Sequence, residues 1–94
     1  MTPTGQKALH VLIEGRVQGV GFRYWIYDQA AHRGLDGWVR NRADGCVEAV
    51  FAGPEREVDE MVTVCWQGPS FSRVVRVASQ YSDGLPEPGF EIRR

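Results

Sequence analysis

The chain has 94 residues, room for a single hydrophobic core and one small domain. Its 11 basic and 12 acidic residues leave a formal net charge of -1, so no overall positive field draws it to nucleic acid or to an anionic membrane. Any anion site has to be local, and a domain of this size with 43% hydrophobic residues has enough core to fold without staples.

Residues 1–6 read as a flexible N-terminus and residues 7–94 as one domain. Met1-Thr2-Pro3-Thr4-Gly5 lacks a basic stretch followed by an apolar run, and no segment approaches the roughly 20 apolar residues that span a bilayer, so a cytoplasmic location without membrane contact is expected. From Ala8 to Glu14, Leu9, Val11 and Ile13 alternate with His10 and Leu12, which predicts a strand with at least one buried face. Gly15-Arg16-Val17-Gln18-Gly19-Val20-Gly21 then carries three glycines in seven positions, a density that favours a loop with positive φ. A helix is predicted from Phe22, with Trp25, Ile26, Gln29 and Ala30 on one face and Gly34 at its C-terminal cap.

Leu35–Arg42 and Cys46–Ala52 are β-rich and are joined through Asp44-Gly45, which has hairpin chemistry. Pro54 and the glutamates after it open a second helix whose apolar stripe is Val58, Met61, Val62, Cys65 and Trp66, and Gly68-Pro69 ends it. Val74–Tyr81 predicts a fourth strand, Ser82–Gly89 a turn-rich connection, and Phe90 and Ile92 a short terminal strand. The order is βαββαβ with a short C-terminal addition. That is the α+β ferredoxin-like arrangement, with two helices on one face of a mostly antiparallel sheet. The fold serves enzymes, RNA binders and regulatory modules alike, so function has to come from a site.

The glycine loop running into a helix is the segment with chemistry. Its backbone N–H groups and the positive end of the helix dipole suit a phosphate. Arg23, in the first helical turn, opposes that dipole unless an anion sits beside it, and its planar fork matches two phosphate oxygens. A tight turn with a solvated arginine is the alternative at this level. No Gly-Lys-Ser/Thr closes a P-loop, and the glycines do not fit Gly-x-Gly-x-x-Gly. Val20-Gly21-Phe22 echoes an RNA-binding aromatic motif but opens a helix rather than lying on a strand, so no nucleic-acid partner is expected. His10 and His32 are far apart and have no ligand spacing to Cys46 or Cys65, so neither a metal nor another cofactor is expected. The cysteines read as small apolar residues rather than a disulfide, and Tyr24, Trp25, Tyr27, Trp38 and Trp66 as packing residues.

The run Glu14–Arg23, with Gly15-Arg16-Val17-Gln18-Gly19-Val20-Gly21-Phe22-Arg23, resembles the first signature of the acylphosphatase family. Gly37-Trp38-Val39-Arg40-Asn41-Arg42-Ala43-Asp44-Gly45-Cys46-Val47-Glu48, continuing to Gly53, resembles the second. Gly68-Pro69, Ser72-Arg73 and Phe90-Glu91-Ile92 extend the likeness over nearly the whole chain. The resemblance implies the ferredoxin-like fold and metal-independent hydrolysis of a small-molecule acyl phosphate to a carboxylate and inorganic phosphate. It further implies that Arg23 is the catalytic phosphate ligand and Asn41 the water-orienting residue. The amides of Val17, Gln18, Gly19, Val20, Gly21, Phe22 and Arg23 would form the phosphate cradle. A monomer is the simplest expectation, and the alternative is a non-catalytic phosphate- or protein-binding module on the same fold. Family members often end in an aromatic residue after Phe-x-Ile-Arg. Arg94 stands in that place here and leaves the role of the tail open.

Overall fold

Alternating and helical periodicities resolve into β1 (Gln6–Arg16), α1 (Phe22–His32), β2 (Asp36–Asn41), β3 (Val47–Pro54), α2 (Glu55–Cys65), β4 (Arg73–Tyr81) and β5 (Phe90–Ile92). This is a computed structural model, and it describes residues 5–94. The expected flexible segment therefore lies mostly outside the described residues, and Gln6 already belongs to β1. The sheet order is β4-β1-β3-β2-β5. All pairings are antiparallel except β2 with β5, which run parallel through Gly37↔Phe90, Trp38↔Glu91 and Val39↔Ile92.

The two-residue period of the strands separates the sheet faces. Leu9, Val11 and Ile13 of β1, Val39 of β2 and Val47, Ala49 and Phe51 of β3 join one buried cluster with Phe22, Ile26 and Ala30 of α1 and Val58, Met61 and Cys65 of α2. Both helices thus cover one face. The buried residues of α1 recur at every fourth position, and each large side chain withdrawn from water there stabilises by about 1.5–3 kcal/mol. β3 is central and buried on both faces from Val47 to Ala52, so its sequence reads as a nearly continuous apolar run.

At the end of α1, the Leu35 N–H donates to the Ala30 carbonyl at 3.0 Å and the Gly34 N–H to the Ala31 carbonyl at 3.1 Å, the paired bonds of a Schellman cap. Gly34 therefore stands one position past the cap, with Arg33 as the capping residue. Gly37 has a different task. A Cβ there would overlap the Val50 carbonyl oxygen of the neighbouring strand, so only glycine lets β2 and β3 approach this closely.

Three expectations need correction. β1 does not end at Glu14: beyond a bulge, Gly15 and Arg16 still pair with Val74 and Arg73. Trp66 does not complete the apolar stripe of α2, because the helix stops at Cys65 and the Gly68 N–H turns back to the Val64 carbonyl, which leaves the indole 51% exposed. Tyr24 and Tyr27 also stand exposed on α1 rather than packed, although Tyr27 meets the Phe90 ring edge-on at 6.3 Å between centroids.

Candidate active site

β1 delivers the chain into the bend Val17–Gly21, and the bend delivers it into α1. Gly19 (φ 75°) and Gly21 (φ 78°) take left-handed conformations that a side chain would oppose, and successive N–H groups in such a bend make an anion-binding concavity. Gly21 is the N-cap of α1. It has no side chain to satisfy the first-turn N–H groups, and no acidic residue lies in that turn. Helix starts with such donors and the positive end of the helix dipole are the kind that suit an anion. Arg23 brings a further positive charge into the same turn.

Asn41 arrives from the other direction. Along β2, Gly37 and Val39 face the helices, and the alternation carries Asn41, the last residue of the strand, to that same face. Val17, Gly19, Gly21, Phe22, Arg23, Tyr24 and Asn41 together line one depression of about 140 Å³. That is well below the roughly 300–1,000 Å³ of pockets that engulf drug-sized ligands. Arg23 and Asn41, 18 positions apart in sequence, thus share one small cavity. The Phe22 ring is buried in the core, so its share in the loop is confined to the main chain. Arg23 Nη1 donates to the Arg93 carbonyl at 3.4 Å, a long contact and the one side-chain hydrogen bond of this guanidinium among the described residues.

Two of the expected loop residues do not line the depression. Val20 packs its side chain against the core. Gln18 turns toward the β2–β3 hairpin, where its Nε2 donates to the Arg42 carbonyl at 2.8 Å and to the Cys46 carbonyl at 2.9 Å. The hairpin turn is closed from within as well, by the Arg42 N–H on the Cys46 carbonyl at 2.9 Å and an Arg42–Asp44 ion pair at 3.0 Å. The Cys46 N–H bonds Asp44 Oδ1 at 3.0 Å and, with Arg42, holds that carboxyl below its ordinary value. Gln18 therefore ties the glycine loop to the turn immediately after Asn41.

No histidine, cysteine or carboxylate lines this depression. His10 Nε2 and Arg40 Nε each contact one oxygen of Glu48 at 2.6 Å on the sheet face away from the helices. Burial alone would raise the Glu48 carboxyl, but these two partners outweigh it and hold it below the usual range. Burial pushes the Cys65 thiol up to about 12, and burial followed by the Asp44 charge raises Cys46, so neither is an activated thiolate. Both are free thiols. Among the described residues no group of three or more His, Cys, Asp or Glu side chains is placed to hold a metal ion, and no helix is long and apolar enough to cross a membrane.

Sequence reasoning did not find Tyr24 at the cavity wall, the side-chain role of Gln18 or the Arg93 carbonyl beside Arg23. Tyr24 had a partial signal, since it lies in the first turn of the helix beside Arg23. The other two depend on long-range geometry.

Several known proteins resemble this chain over most of its length. The Acylphosphatase family model matches residues 9–92. The chain is 50% identical over 94 residues to the acylphosphatase of Trichormus variabilis, covering 99% of this chain and 93% of that protein. It is 51% identical over 83 residues to that of Rhizorhabdus wittichii, covering 88% and 84% respectively. Among solved structures, the acylphosphatase of Bacillus subtilis superposes with a TM-score of 0.88 at 39% identity, over 93% of this chain and 98% of that one.

Proposed function

Since the chain belongs to the acylphosphatase family and is on that ground an acylphosphatase, we propose that Arg23 and the loop amides hold the phosphoryl group of an acyl phosphate while Asn41 orients the attacking water. The observation that carries this reading is the single depression lined by the glycine loop, Arg23 and Asn41.

The reaction splits a carboxyl–phosphate mixed anhydride. Its leaving group is a carboxylate whose parent acid has a pKa of about 4, so it departs without a proton donor. Catalysis reduces to positioning and charge stabilisation. The uncapped N–H groups of the α1 start and the Arg23 fork bind the phosphoryl oxygens, whose negative charge persists through a loose transition state. The fixed positive charge that opposed the helix dipole in the free protein is then offset by the bound anion. Asn41 aligns water for in-line attack, and an amide suits this role because it accepts from and donates to water without titrating. The substrate phosphate accepts the water's proton, which accounts for a cavity with no histidine, carboxylate or activated thiol among its lining residues. All parts of this site belong to one chain, so a monomer suffices.

The test is hydrolysis of benzoyl phosphate in excess chelator, with kcat followed across pH. Full activity in chelator, with no side-chain ionisation controlling kcat between about pH 6 and 8, is expected. Loss of activity restored by a divalent metal would refute metal-independent catalysis, and a bell-shaped kcat profile abolished by one side-chain substitution would refute the substrate as proton acceptor.

A further inference from the structure

The segment after β5 touches the functional cavity through its backbone. Arg93 continues the parallel pairing of β5 with β2, its N–H donating to the Val39 carbonyl at 2.8 Å, and its own carbonyl receives Arg23 Nη1 at 3.4 Å. Further up, the Gly37 N–H bonds the Gly89 carbonyl at 2.9 Å and the Gly89 N–H bonds Asp36 Oδ1 at 2.8 Å, so the terminal strand is anchored at both ends to β2. The Arg93 side chain leans on Trp38, with its guanidinium carbon 4.8 Å from the ring centroid, and pairs with Glu91. A main-chain oxygen on this anchored strand is a fixed point, and Val39, its anchor, lies two residues before Asn41 on the same strand.

We propose that Arg93 is a positioning residue, its carbonyl oxygen setting the direction of the Arg23 guanidinium and locking it in register with Asn41; this rests on the phosphate-binding role of Arg23. An arginine loses rotamer freedom when immobilised, so one held before substrate arrives binds an anion more tightly than a free one. The chemistry of the acceptor matters as well. A carboxylate would form a charge-assisted pair with Arg23 and compete with the substrate, whereas a neutral carbonyl at 3.4 Å orients one N–H and leaves four donors for phosphoryl oxygens. Because β2 carries both the anchor of the Arg93 carbonyl and Asn41, any shift of that strand moves phosphate ligand and water orienter together.

Arg93→Pro removes the N–H that anchors the segment to Val39 and displaces the carbonyl. Arg93→Gly keeps the N–H but loosens the carbonyl, and serves if the proline variant does not fold. Each is compared with Arg23→Ala in a double-mutant cycle on benzoyl phosphate, with inhibition by inorganic phosphate measured in parallel and thermal unfolding confirming a native fold. The expected result is a fall in kcat/KM of about tenfold for the proline variant and about threefold for the glycine variant, with weaker phosphate inhibition. In the Arg23→Ala background either change has no further effect. Full multiplicative loss in that background, or unchanged phosphate inhibition in a variant with reduced activity, overturns the proposal, since a merely structural role would be independent of Arg23. Failure of the underlying reading is distinguishable, because Arg23→Ala would then itself leave activity and phosphate inhibition intact.

Discussion

Gln18→Ala offers a quantitative test of how the cavity is held together. The substitution deletes two hydrogen bonds, of 2.8 and 2.9 Å, from one amide nitrogen to the carbonyls of Arg42 and Cys46. Neither carbonyl is orphaned, because the Gly45 N–H still reaches the Arg42 oxygen at 3.2 Å and the Arg42 N–H still reaches the Cys46 oxygen at 2.9 Å. The loss is therefore the ordinary net value of about 1 kcal/mol per bond, about 2 kcal/mol in all. For a domain of this size that lowers Tm by roughly 8–16 °C. The kinetic effect is comparable in free energy with the stability effect, because the clamp fixes the loop against the turn that follows Asn41, and a misplacement of about 1 Å costs on the order of 10²-fold. The expected outcome is kcat lower by about 10- to 100-fold, with KM changed less than about threefold because Arg23 and the loop amides remain. Stopped-flow hydrolysis of benzoyl phosphate and a thermal melt measure both. Gln18→Glu supplies the sign check, since a carboxylate faces two carbonyl oxygens without a donor and should be worse than alanine in both assays. A glutamate variant equal to the parent would refute the clamp.

Other consequences follow from single contacts. Gly37→Ala should prevent stable folding or lower Tm by well over 10 °C, because its Cβ overlaps the Val50 carbonyl, whereas Gly19→Ala, with open space around its Cβ, should cost only about 1–2 kcal/mol for its left-handed backbone. Glu48 has a folded pKa below its ordinary 4.5, so its contribution to stability is complete above that value and fades as pH falls through the folded pKa. Glu48→Gln should therefore destabilise the protein at pH 7 and flatten the fall of Tm below about pH 4.5, and parallel pH–Tm curves for parent and variant would contradict the assignment. The buried Cys65 thiol, raised to about 12, should resist alkylation at pH 8 in the native state and react only after unfolding, as mass spectrometry of the labelled protein would report.

Much of this architecture is written in local patterns. The i, i+4, i+8 spacing of Phe22, Ile26 and Ala30, the helix end marked by Gly34 and the Asp44-Gly45 turn are decided within a few residues of themselves, and so they are legible. The glycine loop is legible for the same reason, since left-handed backbone at Gly19 and Gly21 requires glycine locally. Trp66 misled because an apolar residue at helical spacing does not reveal that the helix has already ended one residue earlier. The parallel pairing of the three-residue β5 with β2 is set by partners some 50 positions away, and three residues carry no directional signal. Gln18 reads as one more polar loop residue until the hairpin carbonyls arrive beside it. The Arg93 carbonyl is illegible in principle, because every residue has one and only the fold brings this one to Arg23, 70 positions away.

The central claim is that Arg23 and Asn41 divide the work, one holding phosphate and the other aligning water. Steady-state hydrolysis of benzoyl phosphate by Arg23→Ala and Asn41→Ala, combined with the inhibition constant of inorganic phosphate for each, tests it most directly. Arg23→Ala is predicted to lose both turnover and phosphate affinity, with kcat/KM falling by about 10²- to 10⁴-fold for two charge-assisted bonds of about 1.5–3 kcal/mol each. Asn41→Ala is predicted to lose about 10²-fold or more in kcat while phosphate inhibits it as it does the parent. Equal losses of phosphate affinity in both variants, or full turnover in either, would contradict the division of roles.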